Sequence, residues 1–210
     1  MLFSELGLSK ALLDTLEGLH LTKPTPIQMQ AIPLVLEGGD VIGLAQTGTG
    51  KTAAFSLPIL HRLAPGKKAA PKKARALILA PTRELSAQIA RSVKDYGRRL
   101  HLTSTVVVGG VSIRPQIKAL ASGVDILIAT PGRLMDLIEQ RAVSLNEIEV
   151  VVLDEADQML DIGFMPAIKR ILAMTPNTRQ TLLFSATMPK EIRELSSRHL
   201  KDPKEVSVIP

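Results

Sequence analysis

Eight consecutive residues, Ala45-Gln46-Thr47-Gly48-Thr49-Gly50-Lys51-Thr52, carry the strongest chemical signal in the chain. They follow an apolar run, Val41-Ile42-Gly43-Leu44, that reads as a buried strand. A strand, a glycine-rich turn and a helix start gather backbone N–H groups and a helix N-terminus around one concavity, which is a phosphate site. Lys51 can reach β- and γ-phosphates, and the Thr52 hydroxyl can hold Mg²⁺. Ala45 stands where the strict pattern has glycine. Far downstream, a second apolar run, Val150-Val151-Val152-Leu153, ends in Asp154-Glu155. One of these carboxylates can hold the Mg²⁺ while the other polarises a water. Taken singly, the two segments have plainer readings as turn glycines, a solvated lysine and helix-capping carboxylates. Together they describe a site for nucleoside triphosphate hydrolysis.

Such residues need strands to hold them in one place. From residue 40 onward apolar runs alternate with helical patterns. The predicted strands are Val41–Ala45, Ala76–Ala80, Ser104–Val108, Val124–Ala129, Val150–Asp154, Gln180–Ser185 and Glu205–Ile209. Most are continuously apolar, as expected of strands covered on both faces. The intervening patterns include helices over Arg83–Leu100 and Pro189–Leu200. This alternation predicts an α/β domain with a mainly parallel sheet and helices on both faces, whose ligands lie beyond the C-terminal ends of the strands. Two helices precede the first strand: Lys10–Leu19 with Ser9 as N-cap, and Ile27–Leu36 with Thr25 as N-cap and Pro26 at the first helical position.

Composition narrows the field. The chain has 210 residues, 45% of them hydrophobic and 22% charged, and no cysteine, so disulfides and thiolate metal sites are excluded. No apolar stretch is long enough to span a membrane, and Met1–Glu5 do not begin a signal peptide. A soluble cytoplasmic protein is the expectation. Net charge is +6, but Lys67, Lys68, Lys72, Lys73 and Arg75 concentrate it between Gly66 and Arg75, which reads as a solvated, flexible surface loop. Aromatic content of 2% leaves little for base stacking, so a bound nucleic acid would be held by its backbone. His20, His61, His101 and His199 are scattered without metal-ligand spacing.

Further motifs turn this outline into a family likeness. Asp154-Glu155-Ala156-Asp157 is the naming motif of DEAD-box RNA helicases, and the other motifs of that family stand in its order: Pro24-Thr25-Pro26-Ile27-Gln28, Pro81-Thr82-Arg83-Glu84-Leu85, Gly109-Gly110, Thr130-Pro131-Gly132-Arg133 and Ser185-Ala186-Thr187. Over all of its length the chain resembles the first, ATP-binding RecA-like domain of these proteins. The segment Gln158–Phe164 suggests a bacterial, RhlE-like branch. The resemblance divides the chain into a Q-motif region, 1–30, and a RecA-like body, 31–210.

The resemblance implies a P-loop NTPase that binds ATP and Mg²⁺ and hydrolyses ATP to remodel RNA. Lys51, Asp154 and Glu155 would be catalytic, and residues 45–52 would cradle the phosphates. Thr25, Gln28 and the upstream aromatic Phe3 would form the adenine site. A Gln side chain has the donors and acceptor to pair with adenine N6 and N7; Phe3 can stack on the base or pack against Leu6, and the sequence leaves both open. His20 and Leu21 depart from the glycine–aromatic pair usual before this motif. Pro81, Thr82, Arg83, Gly110, Thr130, Pro131, Gly132 and Arg133 would form a track for the RNA backbone, although a Thr before a helix is also an ordinary N-cap. Asp157, Ser185 and Thr187 would couple the nucleotide to the RNA. A second RecA-like domain in cis would supply an arginine to the γ-phosphate, which makes this chain half of a helicase. Two rivals remain, a nucleotide-gated RNA clamp and a DNA-directed ATPase, the second disfavoured by the Pro81–Leu85 and Thr130–Arg133 motifs.

Overall fold

Side chains along a strand alternate between the two faces of its sheet, and here both alternating sets are apolar. Ala76 and Ile78, Ile126 and Ile128, Val150 and Val152, and Leu182 and Phe184 belong to one buried cluster. Their neighbours Leu77 and Leu79, Leu127 and Ala129, Val151 and Leu153, and Leu183 belong to another. A sheet with two apolar faces must lie between two layers of helices.

The computed structural model describes residues 1–209 and has that architecture. Its strands are β1 (Val41–Leu44), β2 (Ala74–Leu79), β3 (Ser104–Val107), β4 (Val124–Ala129), β5 (Val150–Leu153), β6 (Gln180–Ser185) and β7 (Lys204–Ser207). They form one sheet in the order β3-β4-β2-β5-β6-β1-β7, with every pairing parallel. A short 3₁₀ turn, Phe3–Glu5, precedes α1 (Lys10–Gly18) and α2 (Pro26–Leu36). These two pack on the first face with α3 (Lys51–Leu63) and α4 (Arg83–Tyr96). The second face carries α5 (Arg114–Leu120), α6 (Pro131–Glu139), α7 (Ala156–Ile162), α8 (Met165–Ala173) and α9 (Lys190–His199). Phe3, Leu6, Leu12, Leu16 and Ile27 share the core of the first face, so residues 1–30 are built into the same body as the rest.

The strands fall where the apolar runs predict, with shifts at the ends. The last one starts and stops earlier than Glu205–Ile209, at Lys204–Ser207, where it pairs only with β1 at the edge of the sheet. The helix predicted over Arg83–Leu100 ends at Tyr96, because Gly97 follows and closes the final turn on the Val93 carbonyl. Ser9 and Thr25 occupy N-cap positions, yet neither side chain makes the capping bond.

The basic segment departs most from expectation. Ala74 and Arg75 belong to β2 rather than to a loop. Arg75 is only 7% exposed; its Nε donates to Glu149 at 3.1 Å, its Nη1 donates to the Leu63 carbonyl at 3.0 Å, and Asp125 lies 3.6 Å away. Pairing of β2 with β4 and β5 carries the arginine inward, and burying a guanidinium is tolerable only with such partners. Lys67, Lys68 and Lys72 stay exposed, as a solvated stretch requires.

Candidate functional site

Every motif sits at the C-terminal edge of the sheet, and the strand order sorts them. The strands β5, β6 and β1 carry Asp154-Glu155, Ser185-Ala186-Thr187 and the glycine-rich turn. Their neighbours β3, β4 and β2 carry Gly109-Gly110, Thr130–Arg133 and Pro81–Leu85.

In the first group, the chain leaves β1 through Ala45, which is fully buried and gives its N–H to the Ser185 carbonyl at 3.0 Å. Ala45 therefore extends the sheet, and the exposed part of the glycine-rich turn begins after it. Gly50 has φ +88° and caps α3. A Cβ there would lie 2.5 Å from Gln28 Nε2 and 2.9 Å from Thr25 Oγ1, so both backbone and space require glycine. Lys51 opens α3 with its side chain turned inward, and Thr52 follows it in the first turn. Three contacts tether this turn. Gln28 Nε2 donates to the Gly50 carbonyl at 3.0 Å, Thr47 Oγ1 donates to Glu155 Oε1 at 2.9 Å, and Lys51 Nζ lies 3.0 Å from Asp154 Oδ1. Thr49 Oγ1 also closes the turn on the Gln46 carbonyl.

Asp154 has no exposed surface, and neither carboxylate oxygen receives a hydrogen bond of good geometry; the contact with Lys51 is an ion pair. Burial raises its pKa, Lys51 opposes that rise, and the neighbouring Glu155 charge adds to it. A buried carboxylate whose oxygens accept no hydrogen bond is a fitting donor for a hard divalent cation. Glu155 adopts φ 52° and ψ 54°, left-handed backbone that is uncommon for a side chain other than glycine and costs about 1–2 kcal/mol. That turn aims Asp154 and Glu155 at the same concavity.

The adenine residues divide. Gln28 is buried, and its Oε1 accepts from the Thr25 N–H at 2.9 Å while its Nε2 holds Gly50; one further acceptor site and one further donor remain. Thr25 Oγ1 is buried without a partner. Phe3 is 4% exposed within the core, which realises its packing alternative and leaves almost no ring surface for a base.

The second group is also mixed. Thr82 Oγ1 caps α4 by accepting the Leu85 N–H at 3.1 Å, while Arg83 stays exposed. Thr130 precedes α6, with Pro131 at the first helical position, and its hydroxyl makes no capping bond. Gly110 has φ +76°, and a Cβ there would meet Arg83 Nη1 at 3.0 Å. Arg133 is not free to meet a ligand. Its Nη1 donates to Gln116 Oε1 at 2.9 Å and its Nη2 to the Val111 carbonyl at 3.0 Å. Gln116 escaped the reading of the sequence, since nothing in its neighbours distinguishes a buried glutamine on α5 from a surface one.

Within the first group a small network joins the ends of β5 and β6. Asp157 N–H donates to Ser185 Oγ at 3.1 Å, and Asp157 Oδ2 accepts from the Thr187 hydroxyl at 2.9 Å and the Thr187 N–H at 3.2 Å. The start of α7 is thereby tied to the end of β6.

Residues 25–195 match the DEAD/DEAH box helicase family. The RNA helicase CrhR of Synechocystis is 48% identical over 206 residues, covering 98% of this chain and 41% of that protein. The DEAD-box ATP-dependent RNA helicase CshA of Streptococcus pneumoniae is 48% identical over 208 residues, covering 99% of this chain and 39% of that protein. The ATP-dependent RNA helicase DeaD of Escherichia coli is 44% identical, with 98% and 32% covered. The crystal structure of a DEAD box protein from the hyperthermophile Methanococcus jannaschii superposes with a TM-score of 0.92 at 37% identity, covering 99% of this chain and 56% of that one. None of these names supports the RhlE-like branch in particular. The chain thus spans 32–41% of the length of these curated relatives, and with the naming motif, the glycine-rich turn and the fold all in place, it belongs to the DEAD/DEAH box helicase family.

Proposed function

We propose that this chain is the ATP-binding half of an ATP-dependent RNA helicase, acting with a second RecA-like domain in the same polypeptide. One observation carries the reading: the buried Lys51, Asp154 and Glu155 meet at the end of β1 and β5, with the exposed Thr47 hydroxyl donating to Glu155 from the glycine-rich turn. A lysine between a glycine-rich turn and two carboxylates has few uses other than phosphate chemistry. The curated relatives, whose names describe ATP-dependent RNA helicases, agree with it.

In this reading Lys51 exchanges Asp154 for the β- and γ-phosphates of ATP, and the helix N-terminus behind Gly50 adds its partial positive charge. Asp154 and the Thr52 hydroxyl hold Mg²⁺, which neutralises phosphate charge when bound. Glu155 orients and polarises the attacking water, with Thr47 fixing its carboxylate. The free donor and acceptor of Gln28, beside the unpartnered Thr25 hydroxyl, read adenine. Single-stranded RNA is held by its backbone along Pro81–Arg83, Gly110 and Thr130–Gly132, and Asp157, Ser185 and Thr187 link the two sites. The arginine that stabilises the transition state comes from the second domain, and lack of such a group costs about 10³–10⁵ in rate. Among the described residues no helix is long and apolar enough to cross a membrane, and a cytoplasmic place is part of the proposal.

ATPase assays with and without single-stranded RNA test it, on this chain and on the chain extended by the second domain. This chain alone should bind ADP, hydrolyse ATP barely and unwind nothing; the extended protein should show RNA-stimulated hydrolysis. An extended protein whose hydrolysis ignores RNA would refute the RNA half of the reading.

A further inference from the structure

Arg133 carries a charge in a motif that faces the proposed RNA track, yet its guanidinium is turned away from solvent. Its side chain is 12% exposed, and both terminal nitrogens are committed, one to Gln116 Oε1 and one to the Val111 carbonyl. Gln116 is 8% exposed and passes the contact on, its Nε2 donating to the Val108 carbonyl at 3.0 Å. The glutamine lies on α5, the arginine on α6, and the two carbonyls lie on either side of Gly109-Gly110. One guanidinium and one amide therefore clasp the loop between β3 and α5 from both sides. The clasp sets where Gly110 lies, and Gly110 in turn lies close against Arg83, the exposed cation of the edge.

We propose that Arg133 is a positioning residue: with Gln116 it fixes the Val108–Ile113 loop so that Gly110, Arg83 and the Thr130 turn form one continuous surface for a nucleic-acid backbone. This inference rests on the RNA-track reading above, and of the two motif arginines it assigns the phosphate-facing charge to Arg83 rather than Arg133. A planar fork that bridges an amide oxygen and a carbonyl is the task of arginine; lysine keeps the charge but cannot span both acceptors.

Two measurements on the chain test this. The first is the backbone order parameters of residues 109–113, from NMR relaxation. Arg133→Ala and Gln116→Ala should each lower them from about 0.85 to below about 0.6, the step from rigid to flexible backbone, with those of the β-strand amides unchanged. Arg133→Lys should behave like Arg133→Ala, and Arg83→Ala should leave the loop rigid. The second is the affinity for a single-stranded oligouridylate, followed by fluorescence anisotropy at several salt concentrations. Arg133→Ala and Gln116→Ala should weaken binding to a similar degree without changing the salt slope, and the double variant should be no worse than the weaker single. Arg83→Ala should reduce the slope by about 0.7, the signature of one lost phosphate contact on a single strand.

A slope reduced by Arg133→Ala, rescue of binding by Arg133→Lys, or an unaltered loop in both clasp variants would each overturn the proposal. A parent chain that binds no RNA at low salt would refute the track itself, and the order parameters would then decide the clasp on their own.

Discussion

Gly50 is the most sensitive point of the candidate site, because two separate demands fall on it. Its φ of +88° costs a residue with a Cβ about 1–2 kcal/mol. A methyl group would also stand 2.5 Å from Gln28 Nε2 and 2.9 Å from Thr25 Oγ1, forcing both side chains away. Displacing Gln28 breaks its bond to the Gly50 carbonyl and leaves a buried donor without a partner, about 1–3 kcal/mol more. Gly48 is the natural control, since it has the same φ of +88° but nothing within 4 Å of its Cβ position. At 2–4 °C per kcal/mol for a chain of this size, Gly48→Ala should lower Tm by about 4 °C and Gly50→Ala by about 10 °C. Scanning calorimetry of the two variants measures the difference. In a Gln28→Ala background the extra loss at Gly50 should largely disappear, because its target is gone. ADP at about 100 times its Kd should stabilise the parent by about 2.7 kcal/mol and Gly50→Ala by far less. Equal losses at the two glycines, or an unaltered gap in the Gln28→Ala background, would show that the contact between Gln28 and the turn does not persist in solution.

Three further outcomes follow from the same geometry. Lys51→Ala should abolish most ADP affinity by calorimetry, and it should also destabilise the fold by up to about 3–5 kcal/mol at neutral pH by leaving a buried carboxylate unpaired. Asp154 already has a raised pKa, so it contributes least penalty below the unfolded value of 3.8 and progressively more as pH rises towards the folded value; Lys51 is its main opposing influence, and the Tm gap between Lys51→Ala and the parent should widen from pH 4 to pH 7. A gap independent of pH would contradict the pairing. Glu155→Gln should leave ADP binding intact, since Asp154 and the Thr47 contact survive, while hydrolysis by the two-domain protein falls by about 10²–10⁴-fold in single-turnover assays. At the opposite edge, Asp125→Ala removes a fully buried carboxylate that accepts from the Ala69 N–H, the Thr103 N–H and the Thr103 hydroxyl; a loss of about 3 kcal/mol or more in urea titrations is expected, with ADP affinity unaltered.

The strands were readable because their apolar runs are continuous and end in turn chemistry, and the motifs were readable because each follows such a run. What the sequence could not show was the use to which polar side chains are put. Thr82 and Thr130 precede helices in the same way, yet only Thr82 spends its hydroxyl on the cap. Arg83 follows Pro81-Thr82 and Arg133 follows Thr130-Pro131-Gly132 at the starts of two helices, but one is exposed and the other half-buried in a clasp with Gln116. Arg75 lay in a run of lysines and alanines that looks solvated, and sheet pairing drew it inside to Glu149 and Asp125. Each of these outcomes depends on a residue far away in sequence. Local pattern specifies a backbone; partner choice is decided by the assembled sheet.

In the proposed function one short motif serves two ligands, and the sheet gives it a place to do so. β5 lies between β2, which leads to the proposed nucleic-acid edge, and β6, which leads to the proposed nucleotide edge. The residues after β5 therefore stand at the seam. Asp154 faces Lys51, Glu155 holds Thr47 from a strained left-handed turn, and Asp157, inside the first turn of α7, is bound by Ser185 and Thr187. A phosphate that drew Lys51 away from Asp154 would remove the one cation that pairs with that carboxylate among the described residues, and a replacement charge would have to accompany it. Glu155 holds its left-handed backbone at a cost of about 1–2 kcal/mol, and α7 begins at that turn. The proposed reading sets a charge exchange, a strained residue and a hydrogen-bonded helix start within four consecutive residues, and occupancy of the proposed nucleotide site would then act on the start of α7 through local contacts.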